Sequence, residues 1–270
     1  MRLLKLLYFV LKAFLFDMRS FANSMYSAAE EANRKRYVKV KKGFKKGLPT
    51  IDLLDLLPDF NESIRNYTYI DGTSRVTDIA LLKSLAKGYK DCQYLEIGSF
   101  RGESLVNVAD VAAECLSISL SDKEMHDLGL SEYVKVQRFF SKELKNVQHI
   151  NHNSLTFNFS DLNKKFDIIF IDGDHSYQAV KKDTENAFKL LKNENSIIVW
   201  HDYGLSYNLE NWTTIAAMID GTPADKRDKI YHVSNTICSV YINKTFDTSF
   251  PETTDLPNKT FDMTISAKKI

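Results

Sequence analysis

Glycine and proline are scarce in this chain of 270 residues, with 10 and 5 copies, which excludes collagen-like and low-complexity classes. Apolar residue types make up 44% of the sequence, and this content excludes wholesale disorder. The three cysteines, Cys92, Cys115 and Cys238, stand far apart and form no CxxC pair. Their spacing argues against a disulfide framework and a zinc knuckle, and it favours a reducing cytoplasm.

Long apolar runs are lacking as well. The most apolar stretch, residues 3–16, is too short to span a membrane and is interrupted by Lys5 and Lys12. No small-residue cleavage site follows it, so a secretory signal is not expected. In a helix, four basic residues would share one stripe opposite Leu and Phe side chains: Arg2, Lys5, Lys12 and Arg19. This pattern is typical of a helix that lies in a membrane interface.

The charge is unevenly distributed along the chain. Residues 1–50 contain 12 Lys or Arg and 3 Asp or Glu, whereas the whole chain has a net charge of +1. We therefore expect a basic N-terminal module on a mildly acidic body. Peripheral contact of residues 1–46 with an anionic membrane is one interpretation. Packing of this segment on the body or on a partner subunit is the other. A nucleic-acid partner is not expected, because the overall charge is small and no binding module is visible.

Short apolar runs alternate with helical patterns through the body of the chain. The runs are residues 94–97, 116–120, 147–150, 167–171 and 197–200. Such strands between helices predict a parallel sheet covered on both faces. Two further β-rich runs, 230–234 and 237–242, predict a hairpin at its edge. The predicted fold is α/β: a Rossmann-like, doubly wound, mostly parallel seven-stranded sheet with an antiparallel C-terminal hairpin and an N-terminal helical extension.

Three segments are expected along the chain. A basic amphipathic extension covers residues 1–50, the main domain covers 51–247, and a C-terminal tail or extra strand covers 248–270. The last segment is a strand candidate because Phe261 and Ile265 belong to a pattern with period two.

One strand–turn–helix carries the first candidate site. Glu96 stands at the end of a strand, and Gly98 and Gly102 follow before a helix pattern. A turn without Cβ atoms lets backbone N–H groups approach a ligand, and a helix N-terminus favours a carboxylate or phosphate. The alternative is that both glycines serve a tight turn only. Phe100 stands where the dinucleotide pattern GxGxxG requires glycine, so a nicotinamide enzyme is disfavoured.

Two other strands end in acidic and imidazole side chains, Asp-Gly-Asp-His at 172–175 and His-Asp at 201–202. Because neighbouring parallel strands end at the same edge of a sheet, we expect Asp172 and Asp202 to lie close together. Paired carboxylates need a cation or proton between them, and hard oxygen ligands suit Mg²⁺. His175 titrates near neutrality and is a candidate general base. The alternatives are that Asp172 caps the following helix and that His175 is structural.

The pattern E-x-G-x-x-x-G-x-S of residues 96–104 resembles motif I of class I S-adenosylmethionine-dependent methyltransferases. It is closest to the catechol O-methyltransferase-like and macrocin-type sugar O-methyltransferase branches, over about residues 70–245. The resemblance implies that Glu96, Gly98 and Gly102 surround the methionine part of the cofactor. It further implies cofactor contacts from Ser99, Phe100, Ser104 (carboxylate), Asp122 (ribose), Asn153 and Ser154 (adenine), and Asp172.

In the metal-dependent branch these strand ends carry metal ligands. The resemblance therefore implies Mg²⁺ or another divalent cation on Asp172, His201 and Asp202. His201 replaces a carboxylate, which shifts the preference toward a softer ion. His175 and Asp172 are the implied catalytic residues, with His175 as the general base.

The implied activity is methyl transfer from S-adenosylmethionine to a hydroxyl group. The acceptor is a small molecule or glycan, with a sugar in a polysaccharide or lipid-linked precursor favoured. The expected location is the cytoplasm, at the inner face of the membrane if residues 1–46 bind it, and a homo-oligomer is left open. Two alternatives on the same fold are a cephalosporin hydroxylase-like iron-dependent oxidase and a non-catalytic scaffold.

Overall fold

The computed structural model describes residues 8, 10–12, 14, 17–206, 209–252 and 254–270, and for residues 205 and 206 the backbone alone. The α-helices with described bounds are α1 (Met18–Arg36), α2 (Leu53–Leu56), α3 (Val76–Lys87), α4 (Glu103–Ala109), α5 (Asp122–Asp127), α6 (Tyr177–Leu190) and α7 (Trp212–Gly221). The strands are β1 (Thr50–Ile51), β2 (Gln93–Ile97), β3 (Glu114–Ser119), β4 (Val147–Asn151), β5 (Ile168–Ile171), β6 (Ile197–Trp200), β7 (Gly204–Ser206), β8 (Leu209–Glu210), β9 (Ile230–Val233) and β10 (Ser239–Tyr241).

The main sheet has the strand order β1-β9-β10-β6-β5-β2-β3-β4. Strands β2 to β6 run parallel to one another. Strand β10 is antiparallel to both β6 and β9. This arrangement confirms the predicted doubly wound sheet with its C-terminal hairpin. The described sheet has eight strands where seven are predicted, because Thr50–Ile51 pairs with β9. A strand of two residues is too short to produce a period in the sequence.

The central strands are buried on both faces, which explains why they read as continuous apolar runs. In β5, Ile169 and Ile171 enter a core formed with α6 and α7. Ile168 and Phe170 point the other way, into a core formed with α3 and α4. This alternation fixes the register of β5, since a shift by one residue would exchange the two sets. The polar residues that follow β5 are thereby placed at the sheet edge.

The N-terminal extension is helical from Met18 to Lys41, as predicted, whereas residues 42–49 form turns and isolated bridges before β1. Helix α1 continues into a π-helical turn, Tyr37–Lys41, before the chain reaches the sheet. The Glu31 carboxylate accepts hydrogen bonds from the backbone N–H groups of Trp212 and Thr213, which begin α7. The first N–H groups of a helix lack partners within it, so a distant acid caps α7. Residues 2 and 5 of the predicted basic stripe lie outside the described residues.

None of the described helices combines the length and the hydropathy that are needed to cross a membrane. The three cysteines are buried free thiols. In the predicted segment 248–270, Ser249 forms an isolated antiparallel bridge with Thr50, and the described residues 254–270 contain no strand. Phe261 packs edge-on against Phe60, with ring centroids 6.4 Å apart. Met263 and Ile265 are 70% and 69% exposed, so the alternation does not bury one face.

Candidate functional site

The ends of β2, β5 and β6 lie side by side at one edge of the sheet. The Asp172 N–H donates to the Ile97 carbonyl at 2.8 Å, and the His201 N–H donates to the Ile171 carbonyl at 3.0 Å. The hydrogen-bonded ladder therefore continues one residue beyond β5 and β6. It places the Gly98 turn, Asp172 and His201 next to one another, as the strand pattern predicts.

His201 occupies the centre of an acidic cluster. Its Nδ1 lies 3.1 Å from Asp172 Oδ1 and 3.1 Å from Asp202 Oδ1. Its Nε2 lies 3.3 Å from Asp78 Oδ2. Burial opposes the charged form, but the surrounding carboxylates outweigh it and raise the pKa of His201 well above its usual value. His201 thus lies among three carboxylates, which favour its protonated form.

His175 lies on the outer side of the same cluster. Its Nδ1 is 2.9 Å from Asp202 Oδ2, and 59% of its side chain is exposed. The hydrogen bond to Asp202 raises the pKa of His175 above its usual value. Asp202 has a φ of 55°, a left-handed conformation that turns the chain directly after β6. The turn brings the Asp202 carboxylate between two imidazoles, which lower its pKa despite its burial.

Three potential metal ligands gather here in the described part of the chain: Asp172, His175 and Asp202, with ligand atoms within 4.8 Å of one another. The predicted set contains Asp172, Asp202 and His201, and His201 Nδ1 contacts both of these carboxylates. Two carboxylates and one imidazole suit a divalent cation. The Asp172 and Asp202 carboxylates therefore fit such an ion, with the imidazoles of His175 and His201 beside them.

Glu96 and Ser104, predicted on the methionine part of a cofactor, bind each other inside the fold. Glu96 is fully buried and accepts hydrogen bonds from the Tyr94 hydroxyl at 2.9 Å and the Ser104 hydroxyl at 3.0 Å. Burial raises the pKa of Glu96 to about 7. The Ser104 hydroxyl is thus committed to Glu96, and the pair fixes the start of α4 against the end of β2.

Gly98 and Gly102 both have left-handed backbones, with φ of 90° and 84°. A Cβ atom on Gly98 would lie 2.3 Å from the Asp172 carbonyl oxygen. A Cβ on Gly102 would lie 2.5 Å from Ser141 Oγ. The space that the glycines leave is filled by the protein itself, which favours the tight-turn interpretation. Gly98 also lets the turn after β2 approach the backbone that carries Asp172.

The remaining predicted residues follow the neighbouring strands. Asp122 begins α5 after β3 and lies 3.2 Å from Arg138 Nη2. Asn153 and Ser154 follow β4, and the Ser154 hydroxyl donates to Asp183 Oδ2 at 3.2 Å. All of them follow the carboxyl ends of strands in the parallel part of the sheet, on the edge that also carries Asp172.

The loop after Ser99 is built from aromatic and basic side chains. Ser99 is buried, and the ring of Phe100 packs edge-on against Tyr133 with centroids 5.5 Å apart. The Arg101 guanidinium donates to the carbonyls of Ile70 and Asp71 at 3.0 Å. Arg101 therefore holds the loop of residues 63–75 beside the glycine turn.

Sequence reasoning missed Ser74, Asp78 and Arg101. The Ser74 hydroxyl donates to Asp172 Oδ2 at 3.3 Å, and Asp78 contacts His201 although the two are 123 positions apart. Such contacts cannot be predicted from a local sequence pattern. Asp78 stands at the third position of α3, where an acid is explained by capping alone.

Asp183 makes stability depend on pH. It is 1% exposed, its Oδ1 has no hydrogen-bond partner among the described residues, and burial raises its pKa to about 7 from 3.8. A raised carboxyl pKa favours the folded state at low pH, and this contribution is lost as the pH rises through 7. We expect Asp183→Asn to reduce the loss of unfolding free energy between pH 5 and pH 8 by on the order of 3 kcal/mol.

Urea unfolding at the two pH values measures this effect. Asp225→Asn is the control, because Asp225 is exposed and is not among the groups that shift the pKa of Asp183, so it should leave the pH dependence unchanged. An unchanged pH dependence in Asp183→Asn would contradict the assignment.

Comparison with protein families assigns residues 95–203 to a family described as "Methyltransferase domain". These residues run from β2 to just beyond β6. They contain the glycine turn and the strand ends at Asp172 and at 201–202.

An uncharacterized protein of Acanthamoeba polyphaga mimivirus is 32% identical over 139 residues, which cover 46% of this chain and 58% of the viral protein. The chain therefore matches little more than half of that relative. A putative O-methyltransferase from Klebsiella pneumoniae is 14% identical with a TM-score of 0.45, covering 65% of this chain and 84% of that chain. The O-methyltransferase from Bacillus cereus in complex with SAH is 13% identical with a TM-score of 0.42, covering 80% and 99%.

Proposed function

We propose that the protein is an S-adenosylmethionine-dependent O-methyltransferase acting on a sugar hydroxyl, with residues 95–203, which match a methyltransferase domain, as its catalytic part. The observation that carries this proposal is the convergence of the glycine turn, Asp172 and Asp202 at one edge of the sheet. In open α/β sheets, ligands bind at the carboxyl ends of the strands.

Cofactor binding would use the turn between β2 and α4. Backbone N–H groups of this turn precede the N-terminus of α4, which favours the cofactor carboxylate. Asn153, Ser154 and Asp122 follow the next strands and would contact the adenosine part. Bound S-adenosylmethionine would supply an electrophilic methyl group. The chain's contribution is then to align the acceptor oxygen with that methyl group and to exclude water, which can lower the barrier by ~7–11 kcal/mol.

Asp172, His175 and Asp202 would hold the acceptor side. A divalent cation on the Asp172 and Asp202 carboxylates would lower the pKa of an acceptor hydroxyl. His175 would then act as the general base and not as a ligand. With its Nδ1 proton directed to Asp202, its Nε2 is left to accept the hydroxyl proton. One imidazole nitrogen is thus oriented by a carboxylate while the other faces the substrate.

His175→Gln tests the proposed base. We expect kcat to fall about 10²- to 10⁴-fold, because general base catalysis contributes this much, with little change in cofactor affinity. Steady-state kinetics and calorimetric titration with S-adenosylmethionine measure the two quantities. His126→Gln is the control, since His126 is an exposed residue on α5 that bonds Ser131. Unchanged kcat in His175→Gln would assign the proton to another acceptor.

The loop that Arg101 holds supports the proposal that the acceptor is a sugar. Tyr67 and Tyr69 pack edge to face on this loop with centroids 4.6 Å apart, and Tyr69 is 66% exposed. An exposed aromatic ring offers an apolar face with a polar tip, which suits a sugar ring. As part of the same proposal, the protein would methylate sugars during polysaccharide assembly. The free state of the buried cysteines supports the cytoplasm as the location.

The decisive experiment titrates the purified protein with S-adenosylmethionine and assays S-adenosylhomocysteine formation with sugar nucleotides and glycan precursors. Binding and acceptor-dependent turnover are expected. Turnover that requires iron and a 2-oxo acid would favour oxidation instead. Failure to bind the methyl donor at millimolar concentration would overturn the proposed activity.

A further inference from the structure

Helix α1 exposes a continuous apolar face. None of its residues is buried, and Met18 and Met25 are 61% and 58% exposed. The residues of this face recur at helical spacing: Met18, Phe21, Ala22, Met25, Ala29 and Ala32. Such a stripe ordinarily packs against a core. In the described part of the chain, Phe14 packs edge-on against Phe21 of this face, with ring centroids 5.8 Å apart, whereas Met18 and Met25 stay exposed.

The opposite side of α1 holds the helix to the body. The Glu31 carboxylate caps α7, and the Arg34 guanidinium lies 3.8 Å from the centre of the Tyr177 ring. Arg34 is two positions beyond Ala32, or about 200° around the helix axis. The apolar face therefore points away from the body, and docking of α1 does not cover it.

Basic side chains surround the end of this face. Val40, in the π-helical turn, is 68% exposed. The exposed basic residues nearby in the chain are Lys35, Arg36, Lys41, Lys45 and Lys46. The acids of α1 are engaged, as Glu30 lies 3.6 Å from Arg34 and Glu31 caps α7. We call Met18, Met25, Val40 and these five basic residues the N-terminal surface.

We propose that the N-terminal surface binds an anionic lipid membrane. Apolar side chains flanked by lysine and arginine match a headgroup layer, with apolar groups entering the interface and cations meeting phosphates. A second copy of the chain is a poorer occupant, because pairing two such surfaces would bring their cations together. Anionic lipid instead neutralises the surplus of positive charge in residues 1–50.

The segment that carries Val40 is tied to the start of α6 through one carboxylate. Asp220 on α7 accepts hydrogen bonds from the hydroxyls of Tyr37 and Tyr177 at 2.9 and 2.6 Å. Lys42 pairs with the same carboxylate at 2.6 Å. Tyr177 begins α6, two residues after His175. Membrane binding would therefore orient the strand ends relative to the bilayer and present them to a lipid-linked acceptor.

Vesicle sedimentation tests the proposal with the full chain. We expect binding to vesicles containing phosphatidylglycerol and much weaker binding to phosphatidylcholine alone. The triple variant Arg36→Gln/Lys41→Gln/Lys45→Gln should lower partitioning about 100-fold at low salt, from ~1 kcal/mol per basic residue. Lys90→Gln/Lys145→Gln/Lys189→Gln removes three exposed lysines of the body and should bind like the parent chain.

A second variant separates apolar from electrostatic binding. Met18→Ser/Met25→Ser should weaken the binding that persists in 1 M salt, where the screening length is about 3 Å. Absence of vesicle binding, or equal binding by both triple variants, would overturn the proposal. A dimer that Met18→Ser/Met25→Ser dissociates, without lipid binding, would assign the surface to a second copy. These readouts need no methyl transfer, so they succeed or fail independently of the proposed enzyme activity.

Discussion

Asp172→Asn is expected to lower kcat/KM by about 10³-fold or more while the protein stays folded. The carboxylate lies 3.1 Å from His201 and accepts from Ser74, and it belongs to the potential metal-ligand set. Asparagine keeps the shape but removes the charge. The variant therefore loses a carboxylate of the potential ligand set and one of the acids around His201, which removes electrostatic stabilisation from the reacting centre.

Methyl-transfer kinetics with and without a chelator measure this loss. Any chelator sensitivity of the parent enzyme should disappear in Asp172→Asn. Asp174→Asn is the matched control, as Asp174 is exposed and accepts only from the Ser176 N–H in the hydrogen bonds described, at 2.8 Å. It should retain activity within a few-fold. Parent-like turnover in Asp172→Asn would remove this residue from the mechanism.

Gly98→Ala is expected to destabilise the protein by about 4 kcal/mol or more. The added Cβ would lie 2.3 Å from the Asp172 carbonyl oxygen and 2.4 Å from the Gly173 Cα. Backbone atoms of a buried strand end cannot move aside as a flexible side chain can, so the cost exceeds that of most substitutions. The change also pushes apart the two strand ends that form the site.

Gly43→Ala separates this clash from backbone strain. Gly43 has a similar φ of 86°, but its Cβ would meet nothing within 4 Å. A left-handed alanine costs ~1–2 kcal/mol, and the excess in Gly98→Ala reports the collision. Urea unfolding measures both variants. Equal losses would show that the close approach of Gly98 to Asp172 is not rigid.

The order of the sheet could be predicted because its central strands are short apolar runs between helices. Each polar residue that follows such a run is automatically at the sheet edge, and this placed Asp172 and Asp202 together. The resemblance of residues 96–104 to class I methyltransferases is confirmed by the family match over residues 95–203. The edge strand β1 was not predictable, since two residues carry no period.

The side-chain roles within the site were harder to predict. Glu96 and Ser104 appear as ligand contacts in the motif, but only the three-dimensional structure brings their side chains together at 3.0 Å. His201 and Asp78 depend on a contact across 123 positions. A sequence shows which residues end a strand, whereas charge balance depends on every carboxylate that surrounds an imidazole.

The cap that Glu31 provides for α7 sets a limit on shortening the chain for crystallisation. Removal of residues before 30 would take away most of the exposed methionines and leave the carboxylate on the Trp212 and Thr213 N–H groups. A cut after residue 31 would take the acceptor from the Trp212 and Thr213 N–H groups in a partly buried position, and the Asn211 side chain would still cap the Thr214 N–H. Expression trials that begin at residue 30 or earlier should therefore yield the better-behaved material.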